Sequence, residues 1–160
     1  MRVENFPGPG TKVAASKFII TGSLIKSPSL TFENSVSGFL LVRYTSSGTI
    51  DNSFGRDGVV VTPFPGNVGS SALSVAIQAN GDIVATGETA KSASGPSDFA
   101  LARYTANGTL DMTFGNSGFV ITAFGNSNAS VNTVLIQTDG KIIAVGNSGS
   151  GTTIARYFGD

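Results

Sequence analysis

FALARYTANGTLDMTFGNSG, residues 99–118, repeats almost position for position the stretch FLLVRYTSSGTIDNSFGRDG at residues 39–58. A third, shortened copy of its opening, TIARYF, stands at residues 153–158. All three tyrosines of the protein, Tyr44, Tyr104 and Tyr157, follow an arginine in these copies: Arg43, Arg103 and Arg156. Self-similarity at a fixed period of this length is the signature of a repeat architecture, in which one supersecondary unit recurs and buries its apolar faces against its neighbours.

Outward from the Arg-Tyr segment, apolar runs of strand length alternate with turn residues, and no helical periodicity competes with them. The spacing predicts strands over 39–44, 59–64, 72–78 and 82–88 in one unit, and over 99–104, 119–124, 131–137 and 141–147 in the next. The third and fourth strands of each unit are joined by ANGD (79–82) and TDGK (138–141). Asn-Gly and Asp-Gly there predict tight two-residue hairpins with positive φ at both central positions. Early positions recur at a spacing of 60 (Arg43 to Arg103, Asp51 to Asp111) and later ones at 59 (Gln78 to Gln137). One residue is therefore lost in a surface loop.

The N-terminal residues fit the same scheme. VENFPGPG at 3–10 follows VTPFPGNVG at 61–69, and KFIITGS at 17–23 follows DIVATGE and KIIAVGN. This segment supplies strands two to four of a further unit, and TIARYF supplies its strand one. The chain is thus read as a single repeat domain with one split unit (1–38 plus 153–160) and two continuous ones (39–98 and 99–152). Pairing the last strand with the first unit would close a ring and remove exposed sheet edges. The connections over 23–38, 89–98 and 148–152 are rich in Ser, Gly and Pro and vary in length, which marks them as surface loops.

Composition narrows the chemistry. The 160 residues fit one domain with a sizeable core. Ten basic residues balance ten acidic ones and no stretch gathers lysine or arginine, so the electrostatic footprint of a nucleic-acid binder is missing. Histidine and cysteine are both absent. That excludes Ser-His-acid triads, thiol chemistry, disulfides and zinc sites built on either residue. The first residues, MRVENFPGPGTK, lack the apolar stretch of a signal peptide, and no segment has the roughly 20 apolar residues of a membrane helix. The compartment stays open.

The unit FALARYTANGTLDMTFGNSGFVITAFG followed by VLIQTDGKIIAVG resembles the delta-60 repeat, a family of units associated with bacterial β-propellers. The resemblance rests on the Arg-Tyr strand, the Gly-Thr-Leu/Ile-Asp-x-x-Phe-Gly loop at 48–55 and 108–115, and the Gln-x-x-Gly hairpin at 78–81 and 137–140. It implies an all-β fold of four-stranded antiparallel blades and brings no catalytic residues with it. This chain departs from the family in its low number of copies, and its N-terminal unit has neither the Arg-Tyr strand nor the Gly-Thr-Leu-Asp loop. Because a propeller needs about four to eight blades, three units suggest a half-propeller that completes a six-bladed ring as a homodimer. The alternative is a monomeric β-trefoil or β-prism, whose arithmetic of twelve strands in three units is the same.

Individual residues take mainly structural expectations. Arg43 and Arg103 each precede an aspartate by eight residues, Asp51 and Asp111, and a buried guanidinium needs such a partner. Arg156 has no matching aspartate in its own loop, with Asp160 as the substitute. Phe54-Gly55 and Phe114-Gly115 read as aromatic plugs backed by a glycine turn, and Phe158-Gly159 as the same feature after a deletion. The oxygen-rich stretch at 107–111 carries a single carboxylate, too few for calcium, so no metal and no cofactor is expected. A Ser16-Lys17 pair on a strand points its two side chains to opposite faces, which poses it poorly for catalysis. Polar loops hold the candidate ligand positions: Asn67, Ser70, Asn126, Asn128 and Ser148. The function expected is a non-catalytic binding or scaffold module that recognises a glycan or a peptide. The rivals are a hydrolase using Asp51, Asp57 or Asp111, and a structural fragment of a longer propeller. The partner expected is a second copy of the chain.

Overall fold

The computed structural model describes residues 17–22, as a backbone strand, and 38–159. The described residues form ten strands: β1 (Lys17–Gly22), β2 (Phe39–Thr45), β3 (Val59–Thr62), β4 (Gly69–Ile77), β5 (Ile83–Ala90), β6 (Ser97–Tyr104), β7 (Phe119–Thr122), β8 (Ala129–Ile136), β9 (Ile142–Ser148) and β10 (Gly151–Tyr157). The proposed second and third strands of the N-terminal unit, Ser16, Asp160 and most of the connection at 23–38 lie outside the described residues.

These strands build three antiparallel sheets. The first is ordered β1-β2-β3, the second β4-β5-β6-β7 and the third β10-β9-β8. Sheet and sequence unit are out of phase by two strands. The β4–β5 hairpin of one sequence unit pairs with β6, the Arg-Tyr strand of the next, with Ile83 opposite Tyr104 and Thr86 opposite Leu101. The C-terminal copy follows the same rule: β10 pairs with β9, Ile154 opposite Val145, and so extends the third sheet. Short connections, 91–96 and 149–150, place β6 and β10 beside the hairpins that precede them, while β2 and β6 also pair across their long loops with β3 and β7.

The hairpins differ from the sequence expectation in turn type. Only the glycines take positive φ, Gly81 at +91° and Gly140 at +84°. Each loop has three residues, closed by Gln78 N to Asp82 O and by Gln137 N to Lys141 O, both 2.8 Å. Asn80 and Asp139 stay in ordinary φ because their Oδ1 atoms accept the amide two residues on, from Asp82 (3.0 Å) and Lys141 (3.2 Å). Such an Asx turn followed by a left-handed glycine is the three-residue solution to the same reversal.

Both outer hairpins also carry the same irregularity. Register shifts between Ala72 and Ser74 and between Val131 and Thr133. Opposite stand Gly87 and Gly146, where an added Cβ would lie 1.9 Å from the carbonyl oxygens of Ser71 and Ser130. The bulge brings backbone onto backbone, and only glycine leaves room for it.

The sheets stack in chain order. Phe39, Leu41 and Phe54 of the first meet Ala72, Val75, Ile83 and Tyr104 of the second. Val84, Leu101 and Phe114 of the second meet Val134 and Ile142 of the third. Phe64 bridges the first joint, with ring centroids 4.6 Å from Phe39 and 4.7 Å from Phe119. No comparable packing joins the third sheet back to the first, so the described residues form an open stack. They close neither a propeller ring nor the threefold unit of a trefoil or prism.

Candidate functional site

The repeated loop after each Arg-Tyr strand is held by one arginine. Arg43, on β2, donates from Nε to Asp51 Oδ2 at 2.9 Å and from Nη2 to Ser53 Oγ at 3.0 Å. Asp51 in turn accepts the Ser53 amide and hydroxyl on Oδ1. Arg103, on β6, repeats the pattern with Asp111 Oδ2 at 2.7 Å and with Thr113. Each guanidinium also covers the aromatic plug of its loop, 4.6 Å from the Phe54 centroid and 4.8 Å from that of Phe114. Both arginines and both phenylalanines are buried. The Thr113 hydroxyl bonded to Asp111 holds its carboxyl below the ordinary range, burial opposes this, and the Thr113 amide and Arg103 reinforce it. A carboxylate so stabilised is a poor general acid at neutral pH.

The third donor of each arginine leaves its own sheet. Arg43 Nη1 bonds the carbonyl of Ala106, in the loop of the second sheet. Arg103 Nη1 bonds the carbonyl of Gly159, beyond the last strand of the third. Each acceptor lies two residues past the tyrosine of the next sheet, so the arginine ties sheet to sheet as well as loop to strand. Sequence reasoning found the aspartates but missed these carbonyls, because a backbone acceptor carries no side-chain signature. Gly159 also corrects the expectation for Phe158-Gly159. It takes the place of Ala106, not of the glycine after an aromatic plug, and Phe158 is 76% exposed where Phe54 and Phe114 are buried.

The tyrosines are less alike than their sequence context. Tyr104 is fully buried, its hydroxyl without a hydrogen bond of good geometry although Thr62 faces it. Burial pushes its phenol well above the ordinary value, with Thr62 opposing. Tyr157 is half-buried and shares a 2.9 Å hydrogen bond with Thr122. Tyr44 is half-buried, and Arg156 is exposed with no partner for its guanidinium among the described residues.

The candidate ligand residues stand at the opposite ends of the strands. Asn67 is half-buried, donating from Nδ2 to Pro65 O at 3.0 Å. Ser70 shares a 2.8 Å hydrogen bond with Thr89. Asn126 is exposed in the β7–β8 connection. Asn128 accepts the Ser97 amide on Oδ1 at 3.1 Å, which ties the third sheet to the second. Ser148, at the end of β9, is half-buried opposite Gly151. The structure thus divides the set, with Asn67 and Ser70 by the second sheet and Asn126, Asn128 and Ser148 by the third. Asp57 is exposed at a φ of +54°, and its counterpart Ser117 stands at +53°. Shared left-handed geometry explains both residues as turn formers. Among the described residues no group of three or more His, Cys, Asp or Glu side chains is placed to hold a metal. No described helix is long and apolar enough to cross a membrane.

Two segments, residues 29–54 and 78–114, match the family model described as a domain of unknown function (DUF5122) beta-propeller. Each matched segment contains an Arg-Tyr strand and runs on into the loop that its arginine clamps. The chain is similar to that family over these two segments. No curated protein matches the chain.

Proposed function

We propose that the chain is a non-catalytic propeller module of the delta-60 kind, binding or scaffolding a glycan or peptide, and that two copies pool their sheets into one six-bladed ring. The reading is carried by how the two ends of the strands differ. At one end Arg43, Asp51, Arg103 and Asp111 are engaged with one another and with backbone, which leaves no pair of carboxylates poised for acid–base work. At the other end the described connections are mainly polar, with Lys91 the charged residue of the β5–β6 connection and with Asn126, Ser127 and Asn128 exposed and Gly149 and Ser150 beside them. Amide and hydroxyl groups of this kind match the hydrogen-bonding surface of a sugar or an extended peptide, and repetition around a ring would add avidity to weak single sites.

A glycan array and a peptide-display screen of the purified chain test the reading. The expected result is a ligand whose affinity falls about 3- to 10-fold in Asn126→Ala, the loss of one exposed hydrogen bond. No ligand at millimolar concentration, or turnover of a substrate that Asp51→Asn abolishes, contradicts it.

A further inference from the structure

The two joints between sheets repeat each other, and the two ends of the stack are the unsatisfied halves of that same joint. Call the face of each sheet that meets the next one its forward face. In the second sheet the forward face includes Ala76, Val84 and Leu101, which are 4%, 0% and 0% exposed. The residues at the same positions of the third sheet are Leu135, Ile143 and Ile154, and no sheet covers them: Leu135 is 55% and Ile154 67% exposed. At two of these three positions the repeat has put a larger apolar side chain, Leu135 for Ala76 and Ile143 for Val84, on the forward face that stands open.

The first sheet presents the matching surface. Its Thr45–Gly48 turn corresponds to Thr105–Gly108 of the second sheet. There Gly108 sits so close to the preceding sheet that an added Cβ would come within 2.8 Å of Phe54 and 3.0 Å of the Gly55 amide, which itself bonds Asn107 O. At Gly48 nothing among the described residues lies within 4 Å. Tyr44 and Ile50 are likewise more exposed than their counterparts Tyr104 and Leu110, which the first sheet covers.

We infer that the forward face of the third sheet docks the rear face of the first sheet of a second copy, with Arg156 donating to the Ser46 carbonyl across the joint. The register follows from the two joints already formed. Arg43 reaches the carbonyl two residues past Tyr104, and Arg103 the carbonyl two residues past Tyr157. Two residues past Tyr44 is Ser46, and Arg156 is the arginine of the set whose guanidinium has no partner among the described residues. The contact is heterologous, and with three sheets per copy it closes after two copies into six, within the range that fills a propeller. This inference rests on the dimer proposed above and adds which surfaces meet.

The absence of cysteine makes the test clean. The double variant Ser46→Cys/Arg156→Cys, treated with a short bis-maleimide, is expected to yield a covalent dimer, while Ser46→Cys and Arg156→Cys alone yield none. In sedimentation, Ile154→Glu is expected to weaken self-association about 100-fold or more, a charge placed in a buried apolar joint, with its far-ultraviolet spectrum unchanged because the side chain is exposed in the single copy. A dimer by mass that neither cross-links through 46 and 156 nor responds to Ile154→Glu overturns the inference and leaves the dimer standing. A monomer by mass, or a cross-link within one copy, overturns both.

Discussion

At the scale of single residues, the arginines of the Arg-Tyr strands carry the most consequence. A guanidinium taken out of water is stable only if its donors are met, and Arg43 meets them with a carboxylate and a hydroxyl of its own loop and a carbonyl of the next sheet's loop. Asp51→Ala leaves that charge buried and uncompensated, at a cost of about 3–5 kcal/mol. Thermal unfolding is expected to fall by on the order of 10 °C. Lys141→Ala, which removes the exposed pair with Asp139, is expected to change it little, within about 1 kcal/mol. Asp111 adds a pH dependence. Its carboxyl is held below the ordinary range in the folded chain, so the stability it confers is present above the unfolded value of about 3.9 and is lost as pH falls through the folded one. Urea unfolding between about pH 5 and about pH 3 should therefore show a shallower acid limb for Asp111→Asn than for the unaltered chain. The eight-residue spacing made both ion pairs legible in the sequence. The carbonyls of Ala106 and Gly159 were not legible, since their identity depends on which loop lies opposite.

At the scale of elements, glycine and short polar side chains set the geometry that apolar alternation leaves open. Strand positions could be read from pattern to within a few residues, because Val, Ile and Phe alternate with small residues between turn signals. Turn type and pairing partner could not. Asn-Gly is compatible with both a two-residue and a three-residue loop, and the Asx hydrogen bond of Asn80 selects the second. β6, which opens a sequence unit, takes both the hairpin before it and the strand after it as neighbours, and no residue pattern announces the first of these pairings. The bulges were invisible in the sequence except as Gly87 and Gly146 at equivalent positions. Gly87→Ala forces a Cβ onto the Ser71 carbonyl and should open the β4–β5 pair, destabilising the chain by about 2 kcal/mol or more. Hydrogen exchange should rise first at the amides of β4 and β5. Unchanged protection there would show that the bulge relaxes freely.

At the scale of the whole molecule, the central claim is that three stacked sheets with complementary open ends are half of a ring. Repetition makes the sheet architecture legible in the sequence, whereas the open stack follows from the offset between sheets and sequence units, which no residue pattern marks. That offset places an Arg-Tyr strand at the free edge of the third sheet, and it leaves Ile154 and Leu135 exposed on a face built like a buried one. The most direct measurement is the mass of the purified 160-residue chain by sedimentation equilibrium over a wide concentration range. Two half-rings closed on each other give one species of twice 16.3 kDa that resists dilution. A stable monomer of 16.3 kDa, or an open series of larger assemblies, would contradict it.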